Sequence, residues 1–178
     1  ASSLTFTTGN WDSAQTITVT GVNDDIIDGS INTTITLAVV DGSSDNNFDP
    51  LADQTVTAAT ADNDSAGFTK SKSTVSVSET GTTDTFTVVL NIEPASDVVI
   101  SVTSGDTGEA TVSTSSLTFT SGNWDSAQTI TVTGVDDDTV DGSQDTTITL
   151  AVVDGSSDNN FDSLSDQTVT AATADPWG

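Results

Sequence analysis

Carboxylates are the side chains of this chain whose number and spacing point to chemistry. The 178 residues include 27 Asp and Glu against two lysines, with no histidine and a formal net charge of −25. Carboxylate oxygens are the ligands that hard divalent cations prefer, and carboxylates in pairs can also act as general acid and base. Because no arginine is present to pair so many acids, bound divalent cations are the counter-charge that we expect.

The absence of cysteine and histidine removes most other site chemistries. Disulfides, thiolate metal sites, the usual zinc sites and the usual catalytic triads are all excluded. Lys70 and Lys72 alone cannot neutralise a nucleic-acid backbone, and no apolar run reaches membrane-spanning length. We therefore predict no enzyme, no nucleic-acid partner and no membrane insertion. An enzyme that uses paired carboxylates is the third-ranked alternative, because no nucleophile or aromatic pocket accompanies the acids.

The elements that position these acids are predicted to be β-strands. Apolar residues alternate with Thr or Ser throughout, as in residues 129–133 (TITVT), and this two-residue period is typical of half-buried strands. Seven strands, called A to G, are predicted near 72–78, 84–91, 97–103, 116–120, 128–134, 146–153 and 167–173. The predicted fold class is all-β, an antiparallel seven-stranded immunoglobulin-like β-sandwich in tandem with a partial module.

An internal repeat sets the domain organisation. Residues 2–62 return as residues 115–175, an offset of 113, and eight of these sixty-one positions differ. We predict a complete module over 65–178 and the rear half of another over 1–64, with strands D to G near 3–7, 15–21, 33–40 and 54–60. The rear half would leave an apolar sheet face open. We expect strands from a neighbouring chain or from a preceding segment to cover it.

Strand connectivity gathers the acids at one end of the predicted sandwich. If strands alternate in direction, the A–B, C–D and E–F connections and the end of strand G share one end. These places hold Glu79, Asp106, Glu109, Asp136, Asp137, Asp138, Asp141 and Asp175. Two unit charges about 4 Å apart repel by about 4 kcal/mol at an effective dielectric near 20. Calcium, with six to eight oxygen ligands, is the predicted counter-ion; a solvated acidic surface suited to a salty environment is the alternative explanation.

Several short motifs resemble the Calx-beta domain. They are the strand-end Glu of residues 75–79 (VSVSE), the strand 117–119 (LTF) before a Gly turn, the acidic run 135–141 (VDDDTVD), and residues 62–64 (DND). That family occurs in sodium/calcium exchangers and as tandem repeats in large bacterial surface proteins and adhesins. The resemblance therefore implies a calcium-binding sandwich in an extracellular, bacterial cell-surface protein.

The resemblance also implies a set of ligands. In the complete module they are Glu79, Asp137, Asp138 and Asp141 with the acids that close strand G. In the rear half the matching positions are Asp24, Asp25, Asp28, Asp62 and Asp64. The rear half has no counterpart of Glu79, so its site is expected to be the weaker one.

Two sets of residues are predicted to make contacts rather than to bind metal. In a head-to-tail array, the end of the module opposite the acids faces the acids of the preceding module. We expect Trp124, or the B–C residues Asn91, Glu93 and Pro94, to lie close to residues 62–65. The rear half is more apolar around its E–F connection, where Ile26, Ile27 and Ile31 replace Thr139, Val140 and Gln144. These three isoleucines are candidates for partner contact.

The leading functional prediction is a structural extender. Near-identical modules stiffened by calcium would hold another element away from a cell surface, or would stack with neighbouring copies into an extracellular filament or surface layer. A carbohydrate- or ice-binding adhesion module is the alternative, because residues 16–20 (TITVT) could present an array of hydroxyls to a glycan ligand or to ice.

Overall fold

The computed structural model describes residues 3–137 and 139–176. The chain divides into two compact units. Unit 1 comprises Ala1–Asp24 and Gly29–Asp62, and unit 2 comprises Asp25–Asp28 and Asn63–Gly178. Within the described residues, no helix is long and apolar enough to cross a membrane.

Unit 1 has one antiparallel pair of strands among its described residues. Strand β1 (Ile31–Leu37) pairs with β2 (Gln54–Thr60), with Ile31 opposite Thr60 and Leu37 opposite Gln54. The strands predicted near 3–7 and 15–21 are wrong, because these residues are described without strand structure. Strand pairing explains the difference: the copies of these segments in unit 2 do form strands, on partner strands that unit 1 does not contain.

Unit 2 is a sandwich of two sheets. Its strands are β3 (Phe68–Lys70), β4 (Thr74–Ser78), β5 (Thr83–Leu90), β6 (Val98–Ser104), β7 (Ala110–Val112), β8 (Ser116–Phe119), β9 (Gln128–Gly134), β10 (Gln144–Val152) and β11 (Gln167–Ala174). One sheet has the order β4-β11-β10-β6-β8 and the other has the order β3-β5-β9-β7. The predicted all-β sandwich class is confirmed.

Two features of unit 2 depart from the predicted seven antiparallel strands. The three-residue strands β3 and β7 are additional, and they extend the edges of the second sheet by pairing with β5 and β9. Strand β4 runs parallel to β11, with Thr74 opposite Thr170 and Ser78 opposite Ala174. Among the described residues, the other pairings between the named strands of unit 2 are antiparallel.

The core of unit 2 follows from the alternation read in the sequence. Every second residue is buried from Phe86 onward in β5 and from Ile130 onward in β9, including Val88 and Val132. Trp124 is half-buried and packs against this core. Burial of apolar surface stabilises the sandwich by roughly 25 cal/mol per Å², and the loops at its two ends are fixed by the strands that this core holds together.

Gly134, at the end of β9, is required by a close backbone approach. A Cβ atom there would lie 2.2 Å from the Ser78 carbonyl oxygen, whereas a Cβ atom at the repeat-equivalent Gly21 would lie 3.5 Å from the nearest atom, Thr60 Cγ2. We expect Gly134→Ala to destabilise unit 2 by about 2 kcal/mol, since backbone atoms must shift to accept the methyl group. Thermal unfolding measures this loss, and Gly21→Ala is the matched control with little expected effect. Equal losses in the two variants would contradict the steric explanation.

Candidate metal centre

Four chain segments meet at one end of unit 2 and are tied together by hydrogen bonds. The backbone N–H of Glu79, after β4, donates to the Ala174 carbonyl oxygen at the end of β11 (3.1 Å). The N–H of Val135, after β9, donates to the carbonyl oxygen of Glu109, which precedes β7 (2.8 Å). The N–H of Gly142 donates to Asp175 Oδ2 (3.2 Å). The structure thus brings the A–B, C–D and E–F connections together with the end of β11.

Three carboxylates in this region lie close enough to share one ion. One oxygen each of Glu109, Asp137 and Asp141 lies within 4.8 Å of the others. It is the one group of this kind found among the described residues. Glu109 is buried, whereas Asp137 and Asp141 are exposed, so the group has a buried floor and an open rim through which an ion can enter.

Glu79 and Glu109 are the two buried glutamates of this region. Glu79 is 5 % exposed and Glu109 is 8 % exposed. Glu79 Oε1 and Glu109 Oε2 are inaccessible to solvent and accept no hydrogen bond. A buried charged oxygen without a partner is strongly unfavourable, whereas a hard cation accepts carboxylate oxygens without any donor hydrogen. These residues therefore fit a divalent cation.

Burial and neighbouring negative charges both act on these same two side chains. Burial is the largest cause that raises the pKa of Glu79, and the charges of Asp175, Asp137, Glu109 and Asp141 add to it in that order. Burial likewise raises the pKa of Glu109, followed by the charges of Asp141, Asp137, Asp106 and Asp175. We call Glu79, Glu109, Asp137, Asp141 and Asp175 the acidic pole.

The loops around the acidic pole are shaped by local hydrogen bonds. Asp137 Oδ1 accepts from the Thr139 N–H (2.8 Å), which holds this carboxylate at the start of the E–F connection. Gly142, with φ of 80°, takes the left-handed conformation that turns the chain toward β10. Asp106 is exposed and accepts from the Gly108 N–H (2.9 Å), so it lies near the group of three without belonging to it. Asp138 lies outside the described residues.

The ligands expected in the rear half are divided between the two units. Asp24 and Asp62 belong to unit 1, whereas Asp25, Asp28 and Asp64 belong to unit 2. Asp62 Oδ2 accepts from the Gly29 N–H (2.8 Å) as Asp175 does from Gly142. Unit 1 contains no counterparts of Glu79 and Glu109, which are the buried floor of the acidic pole.

The residues expected to make contacts lie at the opposite end of unit 2. The Asn91 side chain donates to the Ser65 carbonyl oxygen (3.2 Å), and the Glu93 N–H donates to the Asp25 carbonyl oxygen (3.0 Å). Pro94 is buried, and the Trp124 carbonyl oxygen accepts from the Leu90 N–H (3.2 Å).

The three isoleucines predicted as partner contacts have different environments. Ile26 forms a β-bridge with Glu93, and Ile27 is half-buried against the core of unit 2. Ile31 is an exposed residue at the start of β1. A role for these residues in partner contact stays a prediction.

Asp158 is a structural residue whose importance the sequence did not reveal. The Asp and Asn spacing of its turn is typical of a hydrated turn or of a weak ion site, but the side chain of Asp158 is buried. Asp158 Oδ2 accepts from the N–H groups of Ala95 (2.7 Å) and Ser96 (3.2 Å), and Oδ1 accepts from the Asn160 N–H (2.9 Å). Asp158 thus clamps the loop after β10 to the loop before β6, and its oxygens are already occupied.

Comparison with known proteins yields similarities of structure alone. No protein-family model and no curated protein matches the chain. Similar solved structures include WR4, a C. elegans MSP family member (11 % identity, TM-score 0.45, covering 60 % of this chain and 97 % of that chain). Others are the E. coli chaperone DraB (7 % identity, TM-score 0.45, covering 62 % and 56 %) and domains 4 and 5 of the S-layer protein SbsC (26 % identity, TM-score 0.42, covering 68 % and 52 %).

The chain spans about half the length of the DraB and SbsC chains that it matches. All three TM-scores lie below 0.5. No property of those proteins is therefore transferred to this one.

Proposed function

We propose that this chain is a non-enzymatic structural module that binds calcium at the acidic pole of unit 2. It acts as a rigid extender, or as a subunit of an extracellular filament or surface layer made of neighbouring copies. In this proposal unit 1 is a module of the same kind, and its open side is closed by strands that it does not itself contain.

The observation that carries the calcium proposal is the pair of buried, unpartnered oxygens, Glu79 Oε1 and Glu109 Oε2. Calcium would be held by these glutamates together with Asp137 and Asp141, which supply carboxylate oxygens at the open rim. When bound, the ion supplies positive charge to a chain that has 27 acids and two lysines. The buried oxygens of Glu79 and Glu109 would then have a partner.

Calcium at this place would also stiffen the module. The acidic pole joins three connections and the end of β11, so one ion ligated from several of them restrains segments that are far apart in sequence. Rigid units in series hold a distal element at a defined distance, which is the property that an extender or a filament requires.

Calorimetric titration of the full chain with calcium tests the site. We expect saturable binding with Kd on the order of 0.1–1 mM, the range of extracellular calcium modules. Glu109→Gln should abolish the measurable binding, because it removes the buried ligand of the group of three carboxylates. The matched control is Asp125→Asn, which makes the same change of charge at an exposed aspartate outside the acidic pole.

Two results would contradict the calcium site. Equal weakening by Glu109→Gln and by Asp125→Asn would mean that calcium only screens the net charge. Binding of many more than one ion per chain, to an extent that neither variant changes, would also mean that calcium only screens the net charge.

Small-angle scattering with and without calcium tests the extender. The maximum dimension of the chain should be longer and better defined with calcium.

A further inference from the structure

The apolar side of unit 1 is exposed although the same sequence is buried in unit 2. Phe6 is 55 % exposed and its copy Phe119 is 0 % exposed; Val19 is 54 % exposed and its copy Val132 is 0 % exposed. Other apolar residues of unit 1 follow the same pattern, including Leu4, Ile17, Phe48 and Val56. Because the two segments are near-identical in sequence, the difference comes from what packs on them.

In unit 2 these residues share one buried core with apolar residues of the strands that precede them in sequence, and they lie beside some of those strands in the sheets. Phe119 pairs with Val98 and Leu117 pairs with Ile100, where β8 lies beside β6. Ile130 pairs with Phe86, where β9 lies beside β5. We call residues 66–114 the front half of the module. Unit 1 contains no copy of the front half.

The backbone of unit 1 also lacks strand partners that its copy in unit 2 has. In unit 2, β10 has β6 on one side and β11 on the other, and β11 also has β4 beside it. Their copies β1 and β2 pair only with each other among the described residues. Residues 3–7 and 15–21, the copies of β8 and β9, are described without strand structure. Unpaired strand edges beside exposed apolar side chains are a template for added strands.

We propose that the exposed side of unit 1 is the docking surface for one further front half with the sequence pattern of residues 66–114. The front half binds in the register of unit 2, so that its counterparts of Val98 and Ile100 lie opposite Phe6 and Leu4, and its counterpart of Phe86 lies opposite Ile17. This inference rests on the proposed function in treating unit 1 as a module of the same kind as unit 2.

A polar contact supports the same occupant. In unit 2, Asp158 clamps the front half through the N–H groups of Ala95 and Ser96. Its copy in unit 1, Asp45, keeps the local part of this motif, since Asp45 Oδ1 accepts from the Asn47 N–H (2.9 Å). The loop that receives the front half is therefore already shaped in unit 1.

Strand exchange between two copies of this chain is the less favourable source. A second copy could supply its front half only by removing it from its own unit 2, which would expose as much apolar surface as it covers. An additional front half joined in line has no such cost. In unit 2 the front half ends at β7 and only residues 113–115 separate β7 from β8, so a covalent connection of this kind is short and unstrained.

The test extends the full chain with a second copy of residues 63–113 placed directly before Ala1. Hydrogen exchange of residues 3–21 is followed by mass spectrometry, and Thr8 distinguishes these peptides from their copies, which carry Ser121. We expect exchange of residues 3–21 to slow by about a hundredfold or more, toward that of β8 and β9. The matched control carries Phe86→Asp and Ile100→Asp in the added copy and should leave the exchange unchanged. Chelator is present throughout, so the result is independent of calcium.

A second measurement covers the case in which the extended chain does not fold. A labelled peptide of residues 82–104, which spans β5 and β6, is titrated into the full chain and followed by fluorescence anisotropy. Saturable binding that Phe86→Asp and Ile100→Asp in the peptide abolish supports the proposal. Unprotected residues 3–21 in the extended chain, together with no peptide binding, would overturn it. A parent chain that already forms dimers with protected residues 3–21 would also overturn it, in favour of strand exchange.

Discussion

We expect unit 2 to melt about 10 °C lower in chelator than in calcium at a hundred times its Kd. Binding to the folded state alone stabilises by about 2.7 kcal/mol at that ratio, and each kcal/mol moves the melting temperature of a domain of this size by roughly 4 °C. Differential scanning calorimetry of the full chain measures the shift. Magnesium at the same concentration is the control for charge screening, and an equal shift with magnesium would argue against a specific calcium site.

The effect of Glu79→Gln on the stability of unit 2 is expected to have opposite signs in calcium and in chelator. In calcium the variant loses most of the calcium-induced rise in melting temperature, because it lacks a buried ligand of the ion. In chelator at pH 7 it is more stable than the parent, because burial and neighbouring acids disfavour the Glu79 charge. A variant that is destabilised in both conditions would show that Glu79 has only a packing role.

The pH dependence of this difference has a defined sign. Because the pKa of Glu79 is raised in the folded protein, the folded state binds its proton more tightly than the unfolded state does. The charge of Glu79 therefore lowers the stability of the folded state by its full amount above the raised pKa. This loss of stability disappears as the pH falls below the ordinary pKa of 4.5. The advantage of Glu79→Gln in chelator should shrink over the same range, while acids common to both proteins cancel in the comparison.

Phe119→Ala is expected to destabilise unit 2 by about 3–5 kcal/mol, the usual cost of truncating a fully buried aromatic residue. Phe119 is 0 % exposed and lies in β8 opposite Val98. Urea unfolding, followed by pulse-labelled exchange of β9 peptides, measures this loss.

Phe6→Ala is the matched control, because the two phenylalanines share the local sequence LTFT. The exposed side chain of Phe6 should contribute less than about 1 kcal/mol to the stability of the chain. A loss at Phe6 as large as that at Phe119 would mean that the apolar side of unit 1 is already covered in solution. The pair therefore tests the exposure on which the docking surface depends.

The strands of unit 2 could be predicted because their alternation is local and their partners are present in the chain. The same reasoning was wrong for residues 3–7 and 15–21, whose sequences match β8 and β9 almost residue for residue. A strand exists only when another strand accepts its hydrogen bonds, and no local pattern reports that partner. Strands β3 and β7 were missed because three residues carry too little alternation to be recognised.

Strand connectivity predicted where the candidate site lies, but it did not predict which acids are buried there. Alternating strand direction places Glu79, Glu109 and Asp141 at one end, and the structure has them there. The sequence does not report how deeply a side chain is buried, however, so it could not distinguish the buried Glu79 and Glu109 from the exposed Asp106. That distinction arises from packing across two sheets, as does the clamp made by Asp158.

The parallel pairing of β4 with β11 has a mechanical consequence. In sequence, β4 lies near the start of unit 2 and β11 near its end. Five residue pairs, from Thr74 opposite Thr170 to Ser78 opposite Ala174, join the two strands side by side. A pull on the ends of the unit therefore acts along this ladder and loads its hydrogen bonds in shear, all together, rather than unzipping them one at a time. The geometry therefore gives the unit resistance to sudden tension along the chain.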